Sequence, residues 1–230
     1  MTTVDAFAVA RSVESVRARI RTLGGGRAIE LIAVTKGFGA DAIEAVIAAG
    51  CTAIGENYAQ ELLTKMANLG ADAATEPVHP EVHFIGRLQT NKVRMIASLV
   101  DVWQSVDRVS LVDELARRAP GARVFVQVNT TGEPAKGGCE PAATIALVQH
   151  CRDAQMRVEG LMTVGPTSSD VAATHAAFAL LRKLSDDVGV GGCSMGMSAD
   201  LDIAIEHGAT HVRIGNALFG ARPQPRAHIG

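Results

Sequence analysis

The chain is poor in aromatic residues, with one tryptophan, one tyrosine and six phenylalanines among 230 residues. That leaves no set of aromatic interface anchors and favours a monomer. Cysteine is sparse too: Cys51, Cys139, Cys151 and Cys193 lie far apart and form no Cys-x-x-Cys pair. Neither a zinc signature nor a small disulfide framework fits, so they read as reduced thiols and no metal site is expected. No apolar run approaches the roughly 18 residues of a spanning helix. The opening Met1-Thr2-Thr3-Val4-Asp5 lacks the basic and apolar regions of a secretory signal. A cytoplasmic protein without a membrane partner is therefore expected. An excess of charge of one sign is also missing: 22 Lys and Arg stand against 24 Asp and Glu, a net charge of −2. No broad electrostatic footprint for a nucleic-acid backbone exists.

What the chain does have is 47% hydrophobic and 20% charged residues, enough for a sizeable core and too apolar for disorder. Short β-branched runs at 29–35, 52–55, 82–86, 100–104, 123–129, 158–163, 192–195 and 211–215 alternate with longer Ala/Leu/Glu/Arg segments. The latter, at 40–50, 56–69, 88–98, 107–119, 141–155, 171–187 and 199–208, repeat apolar residues at helical spacing. This alternation predicts an α/β fold, a closed (β/α)8 TIM barrel as one domain over 1–230, with residues 4–22 as an extra N-terminal helix. The rival is an open doubly wound sheet. Its first turn normally carries three glycines, whereas Lys36-Gly37-Phe38-Gly39-Ala40-Asp41 lacks the third. Loops are expected at 70–80 and 130–141, and an irregular tail at 221–230.

In such a barrel, reactive groups sit where strands end. Lys36 follows Leu31-Ile32-Ala33-Val34-Thr35 in a chain with only 5 lysines against 17 arginines. A desolvated lysine there loses stability in its charged form and offers a neutral amine for imine formation with an aldehyde; a lysine snorkelling to solvent is the plain alternative. Gly191-Gly192-Cys193-Ser194-Met195-Gly196-Met197-Ser198, running into a helix, offers N–H groups and a hydroxyl suited to a phosphate. Alternatively, Ser198 only caps that helix. The next strand end, Val212-Arg213-Ile214-Gly215-Asn216, brings a second glycine to the same mouth, and phosphate sites after strands seven and eight recur in barrels. Asn57 reads equally as a ligand contact or a helix cap, and His83 equally as a polar group at a strand end or a satisfied barrel histidine. His207 and His211 have i,i+4 spacing, but Gly208 ends the helix between them, which argues against a metal.

Ala33-Val34-Thr35-Lys36, Gly55-Glu56-Asn57-Tyr58, the run from His83 to Lys92, Gly160-Leu161-Met162-Thr163, Ser194-Met195-Gly196-Met197-Ser198 and Arg213-Ile214-Gly215 occur in this order. As a set they resemble the pyridoxal phosphate homeostasis protein family, single-domain relatives of the alanine racemase N-terminal barrel, over nearly the whole chain. The string Gly86-Arg87-Leu88-Gln89-Thr90-Asn91-Lys92 is its most specific element and has no generic structural explanation. The resemblance implies pyridoxal 5′-phosphate held as an aldimine on Lys36, with Ser198, Gly215 and Asn216 on the phosphate. It further implies Arg213 at the pyridine nitrogen and Asn57 and Met162 along the ring. An arginine there cannot stabilise a pyridinium, so the cofactor is a poorer electron sink. Lys136 matches a loop lysine of the family and is a candidate secondary amine, with a solvated loop lysine as the alternative. Many relatives carry a second lysine two residues after the first, where this chain has Phe38.

The expected role is therefore a binding protein that buffers the cofactor and delivers it to apo-enzymes, rather than an enzyme. The only tyrosine, Tyr58, follows the second strand, and no second base on the face opposite Lys36 is visible. The alternatives are a pyridoxal-dependent amino-acid racemase or isomerase, and a class I aldolase using the same lysine and phosphate loop.

Overall fold

A computed structural model describes residues 4–69, 79–168 and 170–220. The loop expected at 70–80 therefore lies, except for 79–80, outside the described residues, as does the tail at 221–230. Eight parallel strands close into a barrel in chain order: β1 (Glu30–Val34), β2 (Ala53–Glu56), β3 (Glu81–Phe84), β4 (Val102–Val106), β5 (Arg123–Gln127), β6 (Arg157–Met162), β7 (Gly192–Ser194) and β8 (His211–Ile214). Closure comes from β1, which pairs with β2 through Ile32↔Ala53 and with β8 through Ile32↔Arg213. Strands β1 and β5 are buried on both faces and carry near-continuous apolar runs, as covered parallel strands do.

Helices α2 (Ala40–Ala48), α3 (Ala59–Asn68), α4 (Thr90–Ile96), α5 (Val109–Arg118), α6 (Thr144–Asp153), α7 (Val171–Asp187) and α8 (Leu201–Glu206) follow successive strands, and the one-turn α9 (Asn216–Phe219) follows β8. The extra helix α1 runs Ala6–Gly24 and packs on α2, α8 and α9. It starts where Asp5 accepts from the Phe7 and Ala8 amides, and it buries Val9, Val13, Val16 and Ile20 along one face.

Boundaries move where polar groups are drawn into the barrel. Residue 56 was expected to open a helix, yet Glu56 ends β2, held inside by Thr35 and Lys65. Strand β4 sits two residues later than expected because Asp101 turns back onto Val82, its amide on the Val82 carbonyl and its carboxylate on the Val82 amide. That shift brings Ser105 into the wall beside Gln104, both buried. Pro141 breaks the 141–155 segment into a single 3₁₀ turn and α6.

The barrel interior is partly apolar, with Val102, Phe125 and Met162 in one buried cluster. Gly192 leaves room for the Phe125 ring, which a Cβ there would meet at 2.9 Å. Its lower end is closed by Arg123, which bridges Glu159 at 2.5 Å and Glu81. Above it His211 stands edge-on to Phe125, with ring centroids 4.9 Å apart.

Candidate functional site at the barrel mouth

Lys36 is the second residue after β1 and is half-buried. The backbone on either side of it is fixed by one buried ion cluster. Lys65, 3% exposed, donates to the Thr35 carbonyl at 2.8 Å and to Glu56 at 2.6 Å, and pairs with Glu61 at 2.5 Å. Glu61 in turn accepts from the Gly37 amide at 2.6 Å. Burial pushes the Glu56 carboxyl above its usual range even though Lys65 opposes the shift, and Glu56 Oε2 makes no hydrogen bond. Sequence reading missed this cluster. Its signal was Lys65, three residues past Leu62 on the apolar face of α3 and four past Glu61.

Arg213 projects from β8 into the barrel and is 4% exposed. Its Nη1 donates to Ser194 Oγ at 2.6 Å and its Nη2 to the Thr163 carbonyl at 2.7 Å. A guanidinium only donates, so Ser194 must accept from it and give its own proton to Gln104 Oε1, 2.7 Å away. Gln104 Nε2 then donates to His83 Nδ1 at 2.7 Å, and His83 Nε2 donates to Glu81 at 2.7 Å. One polar column thus crosses the barrel from a carboxylate at its base to a cation below its mouth. Both nitrogens of His83 are thus satisfied inside the barrel, the second of the two readings its sequence position allows. Burial lowers Arg213 to about 10, with Asp200 opposing, so it stays charged at neutral pH.

The two glycine turns meet at the same end. Ser198 Oγ accepts from the Ala217 amide at 3.2 Å, and the Gly196 carbonyl accepts from the Arg213 amide at 3.0 Å. Ser198 does not cap α8; Asp200 holds that position and its carboxylate takes the Met197 amide at 2.5 Å. Gly196 has φ 96°, and a Cβ there would collide with Ala204. Gly215 opens α9, and the Leu218 and Phe219 amides return to its carbonyl. Because Ala33 pairs with Ile214, the chain leaving β1 at Lys36 and the chain leaving β8 at Gly215 and Asn216 reach one rim. Phe38 packs on Phe219 with ring centroids 4.9 Å apart and closes that seam.

Met162 ends β6 and is buried in the inner apolar cluster. Asn57 caps nothing; its Oδ1 is buried without a hydrogen bond. Gly86 permits close approach of the Asn57 backbone, which any Cβ would strike. Lys136 lies on the long loop after β5. Its Nζ pairs with Glu133 at 2.9 Å and donates to the Gly165 carbonyl, so it is not solvated. Glu133 also takes the Thr167 amide at 2.9 Å and hydroxyl at 2.6 Å, tying this loop to the one after β6. Those contacts hold its carboxyl at about 2. His207 bonds His175 at 2.9 Å, and no group of three or more metal-ligating side chains occurs among the described residues.

These groups fit a phosphorylated pyridine aldehyde. Ser198 uses its oxygen as an acceptor, leaving its proton for an anion, and Asn57 Oδ1 is an unused acceptor beside the mouth. Arg213 is a buried cation beneath the mouth, and a guanidinium does not stabilise a protonated pyridine.

The family model for the N-terminal domain of alanine racemase matches residues 4–223. A pyridoxal phosphate homeostasis protein of Pseudomonas aeruginosa is 42% identical over 226 residues, covering 93% of this chain and 96% of that one. The protein of the same name from Schizosaccharomyces pombe is 33% identical, covering 92% of each chain. Among solved structures, PipY of Synechococcus elongatus with pyridoxal phosphate bound superimposes with a TM-score of 0.80 at 31% identity, over 92% of this chain and all of that one. Alanine racemase from Corynebacterium glutamicum shares the fold, with a TM-score of 0.70 at 17% identity over 99% of this chain and 65% of its own.

Proposed function

Since the chain belongs to the pyridoxal phosphate homeostasis protein family, built on the alanine racemase N-terminal domain, we propose that it binds pyridoxal 5′-phosphate at Lys36 and serves intracellular cofactor homeostasis. When bound, this cofactor supplies an aldehyde that condenses reversibly with a primary amine. Lys36 is the amine, on a backbone clamped at Thr35 and Gly37. Ser198, Gly215 and Asn216 receive the phosphate, Asn57 and Met162 line the ring, and Arg213 faces its nitrogen. The observation that carries this reading is the tie between Ser198 and Ala217, with the Ala33↔Ile214 register, which sets two glycine turns beside the lysine strand at one rim.

The protein is a carrier rather than an enzyme on this reading, a single barrel over 1–230 acting as a monomer and passing cofactor to apo-enzymes. What supports it is Arg213, whose fixed positive charge opposes ring protonation and so weakens carbanion chemistry. Lys136 acts as a secondary amine only when its pair with Glu133 opens.

Purified protein incubated with the cofactor should gain a visible imine absorbance, and borohydride followed by intact mass and peptide mapping should place the adduct on Lys36. A colourless protein, or an adduct unchanged in Lys36→Ala, refutes the assignment. Added amino acids in heavy water should exchange almost none of their α-protons; rapid exchange restores the racemase reading.

A further inference from the structure

A second concave site opens beside the mouth, between the loops that follow β2, β3 and β4, with a volume of about 670 Å³. It meets the rim described above only at Asn57, and its wall is built from the His83–Lys92 string, which the cofactor site leaves unused. Of its charged groups, Arg108 is already satisfied: it pairs with Asp107 at 2.5 Å and donates to the Leu88 carbonyl at 2.6 Å. The Arg87 guanidinium and the Lys92 ammonium make no hydrogen bond or ion pair with any described residue. Two like charges on one concave wall repel, and the cavity focuses their field, so the arrangement favours an anion between them. Gln89 and the Asn57 amide add neutral polar groups. Phe84 and Leu88 form a buried apolar floor, and Tyr58, 59% exposed, offers a flat ring at the edge.

From this we infer that the cavity is a second ligand site for a phosphate monoester carried on a planar ring, with Arg87 and Lys92 gripping the phosphate and Tyr58 stacking on the ring. A phosphate monoester carries a charge of about −1.5 to −2 at neutral pH, which matches the two uncompensated cations. A guanidinium also meets phosphate oxygens in pairs. The ring comes either from a vitamin-type pyridine phosphate or from a nucleoside monophosphate. The inference stands independently of the role of Lys36.

The test is calorimetric titration at low salt of protein whose Lys36 site has first been filled with pyridoxal 5′-phosphate and sealed with borohydride. The probes are pyridoxine 5′-phosphate, which has an alcohol in place of the aldehyde, adenosine 5′-monophosphate, inorganic phosphate and succinate. One further site per chain is expected for the phosphate esters, weakened about tenfold by Arg87→Gln or Lys92→Gln and lost in the double variant, while Arg87→Lys keeps most of the binding. Tighter binding of one ester assigns the ring; equal binding leaves the class as stated. No heat from either ester, heats unchanged in the double variant, or succinate binding as well as the esters overturns the inference. Should Lys36 fail to take the cofactor, the same titrations in Lys36→Ala protein decide the question, because the sensitivity to Arg87 and Lys92 is read separately. Matching melting curves of the variants show that loss of binding is not loss of fold.

Discussion

Arg213 donates to Ser194 across the β7–β8 seam at 2.6 Å, and that one contact orients every proton in the column below it. The cation at one end can only donate and the Glu81 carboxylate at the other can only accept, so Ser194, Gln104 and His83 have a single consistent arrangement. Ser194→Ala removes one partner of a buried charge. It should lower stability by about 1.5–3 kcal/mol in urea unfolding. It should also alter the absorbance of cofactor-loaded protein, because Arg213 is then free to shift relative to the ring. Ser194→Thr should restore part of both.

The Lys65 cluster should respond asymmetrically. Lys65→Met strands Glu56 inside the barrel wall, at a cost of about 3–5 kcal/mol, measured by the shift of the urea midpoint at unchanged slope. Adding Glu56→Gln should recover much of that loss, since the uncompensated charge is gone. Equal damage in the single and double variants would show that packing, not charge, governs the site.

Acid should destabilise the fold in two separable legs. His211 is lowered from 6.5 to about 4, first by burial and then by the neighbouring His83 ring, with Glu159 and Glu81 opposing. The unfolded chain therefore binds this proton more readily than the folded one. The stability is fully present above 6.5 and is lost as pH falls to about 4. Glu81, lowered from 4.5 to about 2 by its bonds to His83 and Arg123, adds a second leg below 4.5. His211→Gln should flatten the upper leg in melting temperature against pH and leave the lower one.

Glu133 holds Lys136 by one ion pair and Thr167 by two hydrogen bonds. Glu133→Gln weakens the pair and frees the amine, so borohydride trapping with excess cofactor should put more adduct on Lys136 than in the parent protein. The Lys36 adduct should stay constant, as read by peptide mapping. An unchanged Lys136 yield would remove that lysine from the proposal.

Some of this was legible in one dimension because it rests on local periodicity. Strands covered on both faces must be apolar throughout, as in Leu31–Val34 and Val124–Val126, and the helices between them must be apolar along one stripe. Lys36 was found because a lone ammonium ended such a run. Polarity was harder to place: Glu56 was expected to open a helix and Gln104 to end a strand, yet both are wholly buried inside the barrel wall. Their partners lie 9 to 90 positions away, as with Lys65 and Ser194, so no local pattern announces that the charge or amide is satisfied.

The order of amino acids by itself therefore decided the eight-fold alternation, the places where the chain turns, and which amine stands at a strand end. Closure of β1 onto β8 decided the rest. It brought Ser198 to Ala217, freed Ser198 from helix capping, stacked Phe38 on Phe219, and joined Glu81 to Arg213 through the barrel. The physical reason is that a buried polar group takes its energy from whichever partner three-dimensional packing places within about 3 Å, and separation along the chain does not enter that energy.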